Sequence, residues 1–533
     1  MVNKKLELTL KPRLVKMEKI NILWADDEID LLKPHILFLK EKGYEVVTVN
    51  NGDDALSLIK KQPFDIVFLD EHMPGKSGLE TLSGIKNLNS DIPVVMITKN
   101  EAESIMEDAI GSKISDYLIK PVNPNQILLS IKKNLQNKRL IMEKSNSGYQ
   151  QEFRNIGMTL GEKLGWKEWQ DVYRKLVYWE LELEKSTDAG MYEVLTMQKN
   201  EANHLFCRFI ENNYSGFLQH PDANTPLLSH QLIKKKLFPL LESGDEPVFF
   251  VLIDNLRCDQ WKVIQPVISE YFKIQEDDCY LSILPTATQY ARNAIFAGLM
   301  PLDIEKRFPG MWVGDEDEGS KNQHEEKFLA DQLQRYNKNT KFSYTKITNF
   351  AAGKALSDNV PALFANRLNV IVYNFVDILS HARTEMEVIR ELAADESAYR
   401  SITRSWFEHS PLLEALRKIS EKKVKLIITT DHGTIRVKEP SKIIGDRNTN
   451  TNLRYKQGKS LTYEKKDVYE VKNPAGIFLP RTHLSTAYVF AKEDRFFAYP
   501  NNYNYYAGYY RNTFQHGGIS LEEMIIPVVT LTS

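Results

Sequence analysis

Apolar runs that stop at a carboxylate most constrain how this chain folds. Three near-continuous apolar runs occur at residues 248–253, 370–375 and 424–428. The carboxylates that follow them are Asp254, Asp377 and Asp431. Runs of this kind are typical of parallel strands buried on both faces, and the carboxyl ends of such strands meet at one edge of a sheet. The pattern therefore predicts a large α/β domain with an acidic site at that edge.

Histidines accompany two of these carboxylates. His381 lies four residues after Asp377, so both side chains share one face if a helix follows the strand. His432 is adjacent to Asp431, and His516 precedes two glycines that let a loop approach closely. Four oxygen ligands would suit magnesium or calcium, whereas a mixture of carboxylate and imidazole suits zinc or another transition ion.

A hydroxyl-rich turn followed by a helical pattern, PTATQYARNAIFAGLMP at residues 285–301, supplies a candidate nucleophile. Thr288 is the first choice and Thr286 the second, because a divalent ion favours the deprotonated form of a hydroxyl that it binds. A helix that begins near Tyr290 would aim its first amides at a phosphoryl group. The same residues also read as an ordinary helix N-cap with a packed helix behind it. With the acids and histidines, they predict a two-metal site for phosphoryl transfer.

The N-terminal part has a second set of polar strand ends. Predicted strands at residues 20–23, 64–69, 94–97 and 117–119 alternate with helical segments, which favours a doubly wound parallel sheet. They end at Asp26-Asp27, Asp70, Thr98 and Lys120. Clustered carboxylates favour a hard cation such as Mg²⁺, which lets one of them act as a nucleophile toward a phosphoryl group.

The segments WADDE, FLDEHMPGKSG, MITKN and DYLIKPV resemble the signature of response-regulator receiver domains, over residues 17–140. The resemblance implies a flavodoxin-like fold with Asp70 as the phospho-acceptor. The implied magnesium ligands are Asp26, Asp27, Asp70 and the backbone carbonyl of His72. The implied phosphoryl contacts are Thr98 and Lys120, and Tyr117 is the implied aromatic switch.

The middle of the chain carries helical periodicity without a site. Residues 145–151, SNSGYQQ, are predicted to form a linker, and residues 141–243 a helical linker bundle, in which His204 is structural. No helix-turn-helix with a basic recognition helix is apparent, so a DNA-binding motif is not expected. Residues 1–16 are predicted to be a tail, and either Met1 or Met17 is the start of the protein.

Bulk composition limits the partners and the compartment. The net charge of −2 offers no global attraction for nucleic acid, and no apolar run is long enough to span a bilayer. Three cysteines without a C-x-x-C pair indicate a reducing compartment, so a cytoplasmic location is expected.

The C-terminal motifs, in their order along residues 244–533, resemble the alkaline phosphatase superfamily and within it the PglZ group. The resemblance implies two Zn²⁺ ions and a phosphodiesterase or phosphatase activity with Thr288 as the catalytic residue between them. One zinc would be held by Asp377, His381 and His516. The other would be held by Asp254, Asp431 and His432.

Residues for substrate binding are predicted from charge and aromatic content. Arg257 follows the first strand, and the segment 445–459 adds Arg447, Arg454, Lys456 and Lys459, which would clamp phosphates. An aromatic cluster near His516 would stack nucleotide bases, or else packs on the domain. Its members are Tyr503, Tyr505, Tyr506, Tyr509 and Tyr510.

Receiver, helical linker and PglZ-like domain in one chain resemble a family of response regulators of the type IX secretion system. The resemblance implies a sensor histidine kinase as partner, a homodimer on phosphorylation, and a nucleotide-type substrate such as an oligonucleotide or cyclic nucleotide. The alternative is a metal-stabilised interaction module that binds a sigma factor or a secretion component without required catalysis.

Overall fold

The computed structural model describes residues 20–89, 92–99, 114–185, 189–314, 320–374, 376, 395–445, 449–481 and 483–533, with the backbone alone for 136–147 and 189. The described residues form two compact units, which divide between Ser147 and Gly148. The predicted tail, residues 1–16, lies outside the described residues. No described helix has the length and apolar character that crossing a membrane requires.

The first unit is built on a five-stranded parallel sheet. Its strands are β1 (Asn21–Ala25), β2 (Glu45–Val49), β3 (Ile66–Asp70), β4 (Val94–Thr98) and β5 (Asp116–Ile119), in the order β2-β1-β3-β4-β5. Its helices are Lys33–Glu41, Gly52–Ile59, Gly78–Leu88 and the start of Pro124–Leu160. Alternate side chains of β1 and β3 enter two hydrophobic clusters on opposite faces of the sheet. The predicted doubly wound, flavodoxin-like fold is therefore confirmed.

The second unit begins with long helices, Trp166–Glu184 and Ala189–Gln219. Its further helices are Phe238–Glu242, Cys258–Ile268, Thr288–Ala297, Pro301–Arg307, Glu325–Arg335, Phe350–Asp358, Val360–Leu363, Glu396–Glu408, Pro411–Ser420, Tyr503–Tyr510 and Leu521–Met524. Its larger strands are β6 (Val248–Ile253), β7 (Lys273–Leu281), β8 (Phe342–Ile347), β9 (Leu368–Tyr373) and β10 (Lys425–Thr429). Shorter strands are β11 (Ile435–Arg436), β12 (Glu439–Ile444), β13 (Tyr455–Gly458), β14 (Thr462–Tyr463), β15 (Val468–Val471), β16 (Ala487–Ala491), β17 (Arg495–Ala498) and β18 (Phe514–Gln515), before the long β19 (Ile525–Thr532).

A six-stranded sheet of order β7-β19-β10-β6-β9-β8 organises this unit. Strands β10, β6, β9 and β8 run parallel, and β19 is antiparallel to both of its neighbours. Every residue of β6 and β9 is buried, as the apolar runs predicted. Because β6 and β10 are adjacent and parallel, Asp254 and Asp431 leave the sheet at the same edge.

The predicted linker at residues 145–151 contains the boundary between the two compact units, which falls between Ser147 and Gly148. This segment belongs to the continuous helix Pro124–Leu160. Tyr149 is fully buried, with its ring 5.7 Å from that of Trp179, and its hydroxyl donates to Gln198 at 3.2 Å. A polar, glycine-containing stretch therefore stays helical because tertiary packing holds its one aromatic residue.

The middle helices do not form a separate bundle. Trp169, Phe206 and Ile210 share one hydrophobic cluster with Leu281 and Ile525 of the main sheet. The helical region and the α/β region therefore have a common core, and motion of one part is resisted by the packing of the other.

Two glycines of the same helix test the packing at residues 145–151. A Cβ at Gly148 would meet the Trp179 ring at 2.9 Å, whereas nothing lies within 4 Å of one at Gly157. Gly157→Ala is expected to raise the free energy of unfolding by about 0.5–1 kcal/mol through helix propensity. The free energy of unfolding of Gly148→Ala is expected to lie at least about 1 kcal/mol below that of Gly157→Ala, because the Trp179 indole must shift. Equal effects, measured by denaturant unfolding followed by tryptophan fluorescence, would contradict the packing.

Candidate functional site: an acid–imidazole cluster around a threonine

Two buried carboxylates form the floor of the site. Asp254 follows β6 and is 1% exposed, while Asp431 follows β10 and is fully buried. The adjacent His432 is also fully buried. One ligand atom from each of these three side chains lies within 4.8 Å of the others. The predicted convergence of these strand ends is therefore present in the fold.

The Thr288 hydroxyl lies directly on this cluster. Its Oγ1 is 3.0 Å from Nε2 of His432 and 3.5 Å from Oδ1 of Asp254. Thr288 is the first residue of the helix Thr288–Ala297, so the helix begins two residues before the predicted start at Tyr290. The N-terminus of this helix carries partial positive charge beside the hydroxyl.

Two backbone carbonyls set the orientation of the site histidines. Nδ1 of His432 lies 3.0 Å from the Gly433 carbonyl, and Nδ1 of His516 lies 3.1 Å from the Thr286 carbonyl. Because a carbonyl oxygen only accepts, each Nδ1 carries the hydrogen, and each Nε2 keeps its lone pair. The two rings stack with centroids 4.3 Å apart, which places His516 against the cluster.

Arg292 neutralises part of the buried charge, and the sequence reasoning missed it. Its guanidinium is 2.8 Å from Oδ2 of Asp254, 2.6 Å from Glu325 and 3.9 Å from Oδ2 of Asp431. Arg292 follows Thr288 by four residues, so both lie on one helix face. That spacing is the signal that was available in the sequence, whereas nothing in the sequence pointed to Glu325.

The two carboxylates have different proton affinities. Burial alone would raise the pKa of Asp254, but Arg292 and His432 outweigh it and lower the pKa below its usual value. Burial and the neighbouring charge of Asp254 raise the pKa of Asp431 to about 7. Oδ2 of Asp431 is buried and accepts no hydrogen bond from any described residue. A buried acceptor of this kind needs a cation to offset its desolvation.

The donor set fits a zinc ion. Two carboxylates, one imidazole Nε2 and a nearby hydroxyl match the ligand types that Zn²⁺ takes in catalytic sites. Asp377 and His381, predicted as ligands of a second zinc with His516, lie outside the described residues. Both zinc ions therefore stay predictions.

Three cations predicted to bind substrate are buried and paired instead. Arg257 is 2% exposed and pairs with Asp259 and Glu396. Arg454 is fully buried and pairs with Glu523 at 2.6 Å. The prediction was wrong for these two because their charges are already neutralised inside the protein.

Lys456 is a third correction. It is 1% exposed and donates to the Asn450 carbonyl at 2.7 Å, which leaves it no access to a substrate. Arg447 lies outside the described residues. Thr286 is also buried: its hydroxyl donates to the Gly518 carbonyl at 2.9 Å and accepts from the Gly517 amide, so it is a structural residue.

The tyrosine cluster forms the helix Tyr503–Tyr510. Tyr505 and Tyr506 are 65% and 38% exposed, and they stack on Tyr509 and Tyr510 respectively. Their rings therefore present aromatic surface to solvent, while Tyr510 packs against the domain beside Ile435, Val437 and Phe496.

The first unit has a second acidic cluster. Lys120 Nζ lies 3.0 Å from Oδ2 of Asp26 and 2.9 Å from Oδ1 of Asp70. Asp26, Asp27 and Asp70 bring ligand oxygens within 4.8 Å of one another, with Asp27 exposed. Burial raises the pKa of Asp70, and the hydrogen bond from Lys120 opposes that rise. The geometry suits Mg²⁺, which prefers carboxylate oxygens.

The structure also describes the remaining residues of the predicted receiver site. The Thr98 hydroxyl donates to the Glu71 carboxylate, and Thr98 is 1% exposed. Tyr117 is half-buried in β5, and the His72 side chain is largely exposed. The roles predicted for these residues in switching and magnesium binding stay predictions.

Family models match three consecutive parts of the chain. Residues 22–132 match the response regulator receiver domain, and residues 139–218 match the PorX response regulator linker domain. Residues 232–531 match the BREX system PglZ alkaline phosphatase-like domain. The three predicted parts are therefore present in the predicted order.

Curated relatives match the receiver part. The transcriptional regulatory protein ZraR of Klebsiella oxytoca is 35% identical over 123 residues, which is 23% of this chain and 28% of that protein. The alginate biosynthesis transcriptional regulatory protein AlgB of Pseudomonas putida is 34% identical over 119 residues, 22% of this chain and 27% of that protein. The chain thus spans about a quarter of the length of these relatives.

Solved structures match the same part. A CheY-like receiver domain protein from Methanospirillum hungatei is 26% identical, with a TM-score of 0.22, and the match covers 22% of this chain and 95% of that one. A receiver domain protein from Clostridium thermocellum is 27% identical, with a TM-score of 0.22, over 23% of this chain and 99% of that one.

Removing one of the two buried carboxylates tests the cluster as a metal site. At pH 8, metal-free Asp431→Asn is expected to be more stable than the metal-free native protein by on the order of 2 kcal/mol, because a like charge beside Asp254 is removed. Saturating Zn²⁺ is expected to stabilise the native protein by about 2–4 kcal/mol and the variant by much less. Thermal unfolding with and without Zn²⁺ measures both.

The matched control is Asp331→Asn, which removes a carboxylate that pairs with Arg307 and Arg335 away from the cluster. This control is expected to keep the full stabilisation by Zn²⁺. Equal stabilisation of Asp431→Asn and the native protein would contradict the site.

Proposed function

We infer that this chain, which belongs to the family of PglZ alkaline phosphatase-like domains, is a response regulator whose C-terminal domain is a zinc-dependent phosphodiesterase. The single observation that carries the inference is the Thr288 hydroxyl 3.0 Å from His432 Nε2, above two buried carboxylates. A hydroxyl in that position is placed to attack phosphorus.

The residues of the chain divide the work at this site. His432 Nε2 lies 3.0 Å from the Thr288 Oγ1 and orients the hydroxyl, and Arg292 pairs with Asp254 at 2.8 Å. The first amides of the Thr288–Ala297 helix are aimed to bind phosphoryl oxygens. One zinc is assigned to Asp254, Asp431 and His432, and another to Asp377, His381 and His516. Bound zinc lowers the pKa of a hydroxyl and stabilises negative charge on phosphoryl oxygens.

The proposed substrates are oligonucleotides or cyclic nucleotides, with phosphomonoesters as a nearby variant. The exposed rings of Tyr505 and Tyr506 support a nucleotide, since bases stack on aromatic side chains without sequence preference. Arg447 remains proposed as a phosphate contact.

Phosphorylation of the receiver domain is proposed to control the C-terminal domain. Asp70 accepts a phosphoryl group from a sensor histidine kinase with Mg²⁺ held by Asp26, Asp27 and the His72 carbonyl, while Lys120 and Thr98 contact the phosphoryl oxygens. Phosphorylation favours a homodimer, with Tyr117 as part of the switch. We place this protein in the cytoplasm, where it regulates type IX secretion.

An interaction module is the second candidate function. In this case, the metals stabilise the C-terminal domain, which signals by binding a sigma factor or a secretion component. The buried ion pairs of Arg257 and Arg454 favour a rigid scaffold, and such a scaffold serves binding as well as catalysis.

Substitution of Thr288 separates the two functions. Thr288→Val is expected to lower kcat on bis(p-nitrophenyl) phosphate by about 10³-fold or more, because it removes the nucleophile and keeps the side-chain shape. Thr288→Ser keeps the hydroxyl and is expected to retain activity within about tenfold. Zinc content, measured by elemental analysis, should stay the same in both variants. Undiminished turnover by Thr288→Val would contradict the assignment.

Phosphorylation of Asp70 is predicted to change the oligomeric state. Light scattering with a small phosphodonor and Mg²⁺ is expected to report a doubled mass for the native protein. The control is Asp70→Asn, which has no carboxylate to accept the phosphoryl group and should stay at its original mass. Identical masses of the native protein in both conditions would refute the predicted dimer.

A further inference from the structure

One face of the helix Ala189–Gln219 contacts residues 519–522, which follow His516 in the sequence. Lys199, Asn203, Cys207 and Glu211 recur at every fourth position, so their side chains share one face of the helix. Lys199 lies 3.6 Å from Glu522, and the Cys207 thiol donates to the Ile519 carbonyl at 3.3 Å. Glu211 pairs with Lys492, which forms a β-bridge to Ile519.

Asn203 makes the most specific of these contacts. Its Oδ1 accepts from the Leu521 amide at 2.8 Å, and its Nδ2 donates to Oε2 of Glu522 at 3.0 Å. Asn203 is 5% exposed and Glu522 is 7% exposed. A buried amide that bonds through both of its ends fixes the backbone and the side chain of the segment at once.

Residues 519–523 are also held from the opposite side. Glu523 forms the buried ion pair with Arg454, and its Oε1 accepts from the Gly518 amide at 2.9 Å. Gly518 is two residues from His516. Residues 519–523 are therefore held in position by Asn203 on one side and by Arg454 on the other.

The segment bears on His432 through a single glycine. The Gly433 amide donates to the Glu523 carbonyl at 3.1 Å, and a Cβ at Gly433 would collide with the Glu522 carbonyl. The Gly433 carbonyl in turn accepts from Nδ1 of His432. A shift of residues 522–523 would therefore displace Gly433 and, with it, the carbonyl that orients the His432 ring.

We propose that Asn203 is a positioning residue that sets the orientation of His432 through residues 519–523 and Gly433. The helix Ala189–Gln219, which touches neither Thr288 nor the carboxylates in the described structure, thereby controls how well the site is assembled. The control of turnover rests on the proposed function; the control of local structure does not.

Hydrogen exchange tests the structural part without reference to activity. In Asn203→Ala, peptides covering residues 517–524 and 429–436 are both expected to exchange at least about tenfold faster than in the native protein. The matched control is Gln198→Ala on the same helix, since Gln198 is 2% exposed and bonds to Tyr149 and Phe153 instead. This control should leave both peptides unchanged.

Kinetics and zinc binding test the functional part. Asn203→Ala is expected to lower kcat on bis(p-nitrophenyl) phosphate, or zinc affinity measured by chelator competition, by about 10–100-fold. KM should stay within about twofold of the native value, because a positioning residue does not touch the substrate. Gln198→Ala should match the native protein in kcat, in KM and in zinc affinity.

Each outcome decides between the two ideas. Unchanged exchange of residues 429–436 in Asn203→Ala overturns the positioning role, whatever the activity. If the native protein shows no turnover but Asn203→Ala exchanges faster at residues 429–436, the proposed phosphodiesterase activity is contradicted. The positioning of His432 by Asn203 is then still supported. Should Asn203→Ala not fold, Glu522→Gln replaces it, because it weakens the same hydrogen bond at constant size; unchanged exchange of residues 429–436 then overturns the proposal.

Discussion

Two like charges buried side by side are the constraint on which the rest of this structure depends. Asp254 and Asp431 leave adjacent parallel strands at the same edge, and both are inaccessible to water. An isolated buried carboxylate is strongly unfavourable, and a second one beside it adds repulsion. Arg292 lies 2.8 Å from Asp254 but 3.9 Å from Asp431, and burial beside Asp254 raises the pKa of Asp431 to about 7. A cation completes such an arrangement.

The surrounding fold holds the cluster rigid. Arg292 is itself held by Glu325, and Glu325 also accepts from Tyr344 and Lys346, so the charges form a connected buried network. Rigid placement matters because a nucleophile contributes most when the reacting atoms are held close and aligned. The helical region adds to this rigidity because it shares its hydrophobic core with the sheet and hydrogen-bonds to residues 519–523 through Asn203.

Sequence reasoning succeeded where local pattern and topology agree. The apolar runs before Asp254 and Asp431 predicted buried parallel strands, and parallel topology then requires both acids at one edge. The receiver motifs were equally local, because Asp26, Asp70 and Lys120 all lie at or just after strand ends. For these residues, position along the strand determines position in space.

Sequence reasoning failed where the environment of a residue depends on tertiary contacts with residues distant in the sequence. Arg454 and Arg257 lie in polar segments and looked available for phosphates, yet each is neutralised by a distant carboxylate in the interior. Residues 145–151 contain the boundary between the compact units, but their weak local propensity gave no sign of the continuous helix in which Tyr149 packs against Trp179. Partners that lie tens of residues or more apart along the chain leave no periodic signal in one sequence.

The central claim is that the acid–imidazole cluster binds zinc beside Thr288. Anomalous diffraction at the zinc absorption edge, from crystals of the full chain grown with Zn²⁺, tests it directly. We expect a peak at about 2.0–2.2 Å from Asp254, Asp431 and His432. An ordered site without a peak among these three side chains would contradict the account.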